Sequence, residues 1–134
     1  MTYRELNQVF YLRKEIRHIK SLSAKLRADA ATSGRSSLPD GDPLSLLLDR
    51  LRAENDRLIA AIQSVEEYIE RVDDSRTRLL LRLRLIENRS WKGVADGMGY
   101  PNSASGCYMW FKRWCDRHLD GGYVPRKKNK KAPE

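Results

Sequence analysis

The chain has 134 residues, enough for one compact domain or for a small domain joined to an extended element, and too few for a large two-domain enzyme. Charged residues make up 33% of it and hydrophobic residues 40%, a composition typical of a soluble, mostly helical protein. The formal net charge is +8. Residues 1–75 hold 12 basic and 13 acidic side chains, residues 76–120 hold 9 and 4, and residues 121–134 hold 5 and 1. The positive excess in the C-terminal part favours a polyanionic partner, with nucleic acid ahead of a membrane surface.

The sequence lacks the signals of membrane insertion, secretion and catalysis. No apolar run approaches the ~20 residues that cross a bilayer, and the N-terminal MTYRELNQ lacks the apolar core of a signal peptide. We therefore expect a cytoplasmic protein with no membrane partner. Cys107 and Cys115 lie about 12 Å apart along a helix, too far for a disulfide. Because neither His18 nor His118 has neighbours at a metal-ligand or triad spacing, we expect no metal, no cofactor and no enzymatic activity.

Residues 1–72 are predicted to form a helical hairpin or coiled coil. Thr2-Tyr3-Arg4-Glu5 has the S/T-x-x-E pattern of a capping box, and the apolar stripe that follows continues to residue 28. Turn-forming residues predict a loop over 29–43, ending with Asp42 as a cap and Pro43 as the first helical residue. Apolar residues then recur from Leu44 to Val72 at alternating spacings of four and three, which is a coiled-coil pattern.

One polar residue, Asn55, interrupts this heptad pattern at an a position. A buried amide there would penalise every register that leaves it unpaired; alternatively, the side chain faces solvent. The predicted helices 3–28 and 44–72 measure about 39 and 44 Å, so we expect an antiparallel hairpin. A homo-oligomer, with a dimer favoured, would pair through this region. The residues expected at the contact are Leu48, Leu51, Asn55, Leu58 and Ile62.

Three short helices are predicted over residues 73–120. The capping run Asp73-Asp74-Ser75 precedes a helix from Arg76 to Glu87. Ser90 caps the second helix, and Gly99 ends it in the left-handed conformation.

The third helix begins at Asn102 or Ser103, with Ser103 as its cap, and ends near Leu119. The remaining residues, 121–134, are expected to form a disordered basic tail. The predicted fold is therefore all-α: an N-terminal antiparallel helical hairpin or coiled coil, followed by a three-helix helix-turn-helix domain.

A rotation of about 100° per residue separates two sides of the third helix. The side predicted to pack consists of Ser103, Cys107, Trp110, Phe111, Trp114 and His118. The other side suits the major groove of DNA, and the candidates for contact with base edges are Ser105, Tyr108, Met109 and Lys112. The candidates for phosphate contact are Lys92, Arg113 and Arg117, with Ser103 at a helix N-terminus that can also receive a phosphate.

Four short motifs in residues 68–119 carry a family resemblance. They are Arg78-Leu79-Leu80-Leu81-Arg82-Leu83-Arg84, Ser90-Trp91-Lys92-Gly93-Val94-Ala95, Met98-Gly99-Tyr100 and Ser103. In these motifs the chain resembles the helix-turn-helix of sigma-factor region 4, and more closely the RinA/ArpU-like phage and prophage transcription regulators. It departs from the sigma pattern at Gly106-Cys107, often Thr-Val or a similar pair in sigma-like proteins, and near Trp110, where they often have an arginine.

The resemblance implies that the third helix enters the major groove of promoter DNA and that the apolar surface of the earlier helices contacts RNA polymerase. Two other functions stay open. A DNA-packaging recognition protein of the small-terminase type also joins a helix-turn-helix to coiled segments. A protein-interaction adaptor would use the same helices to bind polymerase or another protein.

Overall fold

The computed structural model describes residues 1–32 and 43–125. Its helices are α1 (Tyr3–Leu6), α2 (Gln8–Thr32), α3 (Pro43–Glu70), α4 (Ser75–Leu81), α5 (Trp91–Met98) and α6 (Ala104–His118). A π-helical turn, Arg82–Ile86, continues α4. The predicted all-α class is confirmed. No helix in the described ranges is both long enough and apolar enough to span a membrane.

The chain divides into two compact units. The two-helix unit is Gln8–Asp73, and the C-terminal unit joins Met1–Asn7 to the chain from Asp74 onward. The sequence predicted a boundary after residue 72, with residues 1–72 on one side of it. In the structure, the first seven residues group with the C-terminal unit instead.

The N-terminal capping box forms as predicted. The backbone N–H of Glu5 donates to Thr2 Oγ1 at 3.2 Å, and the N–H of Thr2 donates to Glu5 Oε1 at 2.7 Å. The helix is not continuous, because α1 ends at Leu6 and α2 begins at Gln8. The predicted end at residue 28 is also wrong, since α2 extends to Thr32. Most of the predicted loop, residues 33–42 with Asp42, lies outside the described residues.

In the two-helix unit, α2 packs against α3. The buried apolar side chains of this unit are Val9, Ile16 and Ile19 from α2 and Ala61, Val65 and Ile69 from α3. Two polar side chains, Ser23 and Glu54, are buried as well. Arg57 donates to Glu54 Oε2 at 3.2 Å, whereas Glu54 Oε1 and Ser23 Oγ have no hydrogen-bond partner within the described part of the chain.

The five predicted oligomer contacts lie beside this packed side of α3. Leu48, Leu51, Leu58 and Ile62 are half-buried, and Asn55 is exposed. The side of α3 that α2 covers is centred on Glu54, Ala61 and Val65. The five predicted contact residues are therefore rotated around the helix axis from this covered side by a fraction of a turn. Within a single chain, Asn55 therefore faces solvent, as one of its two sequence interpretations expects.

In the C-terminal unit α4, α5 and α6 contact one another. Asp74 caps α4 by accepting the N–H of Thr77 at 3.1 Å, and Ser90 caps α5 by accepting the N–H of Gly93 at 3.2 Å. Gly99 ends α5 with a left-handed φ of 87°, as predicted. The helix expected over Arg76–Glu87 widens after Leu81, where the N–H of Glu87 donates to the carbonyl of Arg82, five residues back, at 3.0 Å.

The core of this unit is fully enclosed. The side chains at zero exposure in its helices are Leu6, Leu80, Leu81, Leu85, Val94, Ala95, Phe111 and Cys115. Both cysteines are free and buried, so the expected absence of a disulfide between them agrees with the structure. Burial raises the pKa of the Cys115 thiol to about 12 and also raises that of Cys107, which keeps both thiols protonated.

Candidate nucleic-acid interface

The start of α6 differs from the prediction. Ser103 occupies the N-cap position, but its side chain makes no capping hydrogen bond. Ser90, which does cap, has an extended backbone with ψ 165°, whereas Ser103 has ψ 43°. A capping hydroxyl reaches the helix amides from the extended conformation, so the capping role assigned to Ser103 is wrong. Its side chain is exposed at the beginning of α6.

The buried side of α6 is rotated slightly from the predicted one. Cys107, Phe111 and Trp114 are buried as expected, and Cys115, which the prediction left out, has zero exposure. The other three predicted packed residues are wrong: Ser103 and His118 are exposed and Trp110 is half-buried.

Two ring contacts account for the positions of Trp110 and His118. The Arg76 guanidinium lies over the Trp110 ring at 5.5 Å, and the His118 ring stacks on Trp114 at 5.1 Å. Trp110 thus packs against Arg76 at the surface, and His118 packs against Trp114, so neither of these two rings enters the core.

The opposite side of α6 carries most of the predicted DNA contacts. Ser105, Met109 and Arg113 are exposed at intervals of four, which places them along one line of the helix. Arg117 is exposed and Lys112 is half-buried on the flanks of that line. Lys92 is exposed in the first turn of α5, the helix that packs against α6. Six of the eight predicted contact residues, Ser103 included, are therefore exposed, and the half-buried Lys112 keeps 40% of its side chain accessible.

Tyr108 is the exception. Its half-buried ring makes edge contacts with Trp91 at 5.5 Å and with Tyr123 at 5.9 Å. Tyr3 and Phe111 complete this aromatic cluster, in which Tyr3 lies 5.0 Å from Tyr123 and 6.0 Å from Phe111. Tyr108 thus packs partly inside the unit, and its contact with a base edge stays a prediction.

The same cluster corrects the start of the predicted tail. Tyr123 is half-buried, and burial raises the pKa of its phenol well above the usual range. Gly121 and Gly122, with φ of 81° and 70°, turn the chain back to this position. Residues 121–123 therefore belong to the folded unit, and residues 126–134 lie outside the described part.

Arg84 has a structural role that the sequence did not reveal. Its guanidinium lies over the Trp91 ring at 4.4 Å and donates to the carbonyl of Arg89 at 2.8 Å. Only 8% of this residue is exposed. Arg89 in turn forms an ion pair with Glu87 at 2.8 Å. These two arginines hold the segment between the π-helical turn and α5, so they add less to an external positive surface than their number indicates.

Asp116 brings a negative charge to the exposed side of α6. Lys112 pairs with its Oδ2 at 3.2 Å, and the N–H of Tyr123 donates to its Oδ1 at 2.9 Å. The bond from Tyr123, followed by the one from Lys112, lowers the pKa of the Asp116 carboxyl. The spacing of four between Lys112 and Asp116 is the sequence signal for this pair. Asp116 thus orients Lys112 and fixes the chain that leaves α6.

A metal site finds no support in the described ranges. No group of three or more His, Cys, Asp or Glu side chains among residues 1–32 and 43–125 could hold a metal ion. Comparison of the chain with protein-family models, curated proteins and solved structures gave no match.

Proposed function

We propose that the protein is a phage or prophage-type transcriptional regulator that binds promoter DNA through α6. The observation that supports this most is the chemical division of α6. One side buries Cys107, Phe111 and Trp114, and the other exposes Ser105, Met109 and Arg113 in a line. A helix that reads DNA enters the major groove with one side toward the bases while its opposite side packs on the domain. In this proposal α5, the link that follows it and α6 form the helix-turn-helix.

The exposed side chains suit distinct roles in such a complex. Met109 offers an apolar contact to a thymine methyl group, and Ser105 bonds to either kind of base edge. Arg113, a phosphate candidate in the sequence, is exposed in line with them, and its planar group can bind guanine O6 and N7. Phosphate contacts position the protein without reading sequence. Lys112, a base-edge candidate in the sequence, pairs with Asp116 on the flank and is proposed here for phosphate instead. The residues proposed for phosphate contact are therefore Lys92, Ser103, Lys112 and Arg117.

Charge supports the same partner. Residues 76–120 hold 9 basic and 4 acidic side chains, although Arg84 and Arg89 are engaged within the unit. Neutralising several phosphates releases counterions, so binding would weaken steeply between about 50 and 200 mM salt. We further propose that the protein acts in the cytoplasm as a dimer, which would present two copies of α6 to two half-sites, and that it contacts RNA polymerase.

The test is a selection from random-sequence duplexes with the purified full-length chain, followed by titration of the selected site. The double variant Lys112→Ala, Arg113→Ala should weaken binding by at least about tenfold, since a base contact and a phosphate contact are both lost. The control Arg50→Ala, Arg52→Ala removes the same charge from exposed positions of α3 and should change affinity much less.

Three outcomes would overturn the proposal. Equal affinity for the selected site and for random duplex would contradict sequence-specific binding. If the Lys112→Ala, Arg113→Ala variant kept its full regulatory activity and its binding to polymerase, the protein would be an adaptor. A ring of many chains in solution would indicate the packaging function.

A further inference from the structure

An apolar strip on α3 stays uncovered after α2 has packed. It runs beside the buried side of the helix, and its members are Leu48, Leu51, Asn55, Ile59 and Ile62. Ile59 is 56% exposed, Asn55 is exposed, and the three others are half-buried. At about 100° per residue these five positions fall on one third of the helix surface. An apolar strip with a single amide near its centre has the composition of a helix-pairing surface.

We infer that this strip binds a second copy of the chain, with the two α3 helices antiparallel and Asn55 at the two-fold axis. The inference rests on the dimer of the proposed function and names its contact surface and orientation; it concerns the two-helix unit alone and does not depend on DNA binding by α6.

The strip complements itself in this register. With Asn55 on the axis, Leu48 of one chain meets Ile62 of the partner subunit, and Leu51 meets Ile59 of the partner subunit. Each apolar side chain then has an apolar neighbour. Asn55 meets its own copy, and a side-chain amide both donates and accepts hydrogen bonds, so two of them satisfy each other.

Charge on α3 favours antiparallel over parallel pairing. A parallel, in-register pair would also match Asn55 with its copy, but it would place Glu66 beside Glu66 and Glu70 beside Glu70 of the partner subunit. Like charges at facing positions destabilise a helix pair, and parallel helix dipoles add to the repulsion. The antiparallel register instead places Glu66 level with Leu44 of the partner subunit.

Sedimentation of the full-length chain without DNA tests the surface. The unaltered chain should be a dimer, and Ile59→Glu should raise the dissociation constant by at least about tenfold, because a charge would enter an apolar contact. Leu46→Glu is the matched control: Leu46 is 60% exposed on the same helix but lies on its opposite flank. Its dissociation constant should be unchanged. Far-ultraviolet circular dichroism of both variants verifies that the helices are retained.

Cysteine cross-linking tests the orientation. A mixture of Leu48→Cys and Ile62→Cys chains should form a mixed disulfide on oxidation, whereas Leu48→Cys alone should cross-link poorly. The unaltered chain is the control for Cys107 and Cys115, which are buried. A monomeric unaltered chain, an equal loss of dimer in Leu46→Glu, or efficient linking of Leu48→Cys to itself would each overturn the inference. None of these measurements involves DNA, so DNA binding by α6 can stand while this inference fails; a monomeric chain would overturn the inference and the dimer of the proposed function together.

Discussion

The two units bury their apolar side chains to different extents. In the C-terminal unit three helices and the N-terminal segment enclose a core in which Phe111 and Leu80 have zero exposure. In the two-helix unit α2 and α3 pack on each other, and Val9 and Ile69 have zero exposure. Ile59 and Leu46 keep 56% and 60% of their surface exposed there.

Buried polar side chains occur in both units. The two-helix unit buries Glu54 and Ser23, each with an oxygen that lacks a hydrogen-bond partner in the described ranges. The C-terminal unit buries Asn7, Thr77 and Arg84, and Asn88 Oδ1 there also lacks a hydrogen-bond partner among the described residues. The contrast therefore lies in the apolar surface: exposed apolar side chains on α3 suit a protein partner, whereas an enclosed core with a basic exterior suits a polyanion.

The largest effect should come from opening the enclosed core. Phe111→Ala removes a fully buried ring that contacts Tyr3, Trp91 and Tyr123. We expect the free energy of unfolding of the C-terminal unit to fall by about 3–5 kcal/mol, from lost burial and the cavity left behind. Because all three tryptophans lie in this unit, urea unfolding followed by tryptophan fluorescence measures it selectively.

The control for Phe111→Ala is Met109→Ala, two residues earlier on α6. Met109 is 38% exposed on the opposite side, so its loss should change the free energy of unfolding by less than about 1 kcal/mol. A similar effect of the two substitutions would contradict the assignment of an inner and an outer side to α6.

A smaller effect of opposite sign is expected in the two-helix unit. Glu54→Met replaces a buried carboxylate that has one hydrogen-bond partner, the exposed Arg57, which water can solvate after the change. We expect the free energy of unfolding to rise by about 1–3 kcal/mol, as when buried ionic groups are replaced by apolar ones. Urea unfolding followed at 222 nm measures the change, with Glu67→Met at an exposed position as the control. A clear loss of stability in Glu54→Met would mean that the carboxylate is fully satisfied.

Local signals in the sequence predicted the helices well. The capping box at Thr2 and the caps at Asp74 and Ser90 form as expected, because each depends on a few neighbouring residues. The break at Asn7 and the π-helical turn after Leu81 were not predictable in this way, since no local residue pattern marked either change.

The exposed side of α6 in the candidate site could be predicted from the sequence, but the surroundings of the residues on its flanks could not. Ser105, Met109 and Arg113 follow from helical periodicity alone. The ring contacts of Tyr108 could not be predicted, because they depend on Trp91 and on Tyr123, which comes from a segment that composition assigned to a tail. The packing of Tyr3 on Phe111, 108 positions away in sequence, likewise has no periodic signal.

The smallest effect concerns the charge at the end of α6. Hydrogen bonds from Tyr123 and Lys112 lower the pKa of Asp116 in the folded state, so its ionised form is stabilised relative to the unfolded chain. This stabilisation is complete above the ordinary aspartate pKa of about 3.9 and is lost as pH falls through the lower folded value. In Asp116→Asn the acid-dependent loss of stability below about pH 4 should therefore be shallower than in the unaltered chain. Urea unfolding by tryptophan fluorescence across this range measures the slope, with Asp96→Asn at an exposed position of α5 as the control. Equal slopes for all three chains would show that the bonds to Asp116 do not persist in solution, and residues 121–123 would then lose the anchor that holds them to α6.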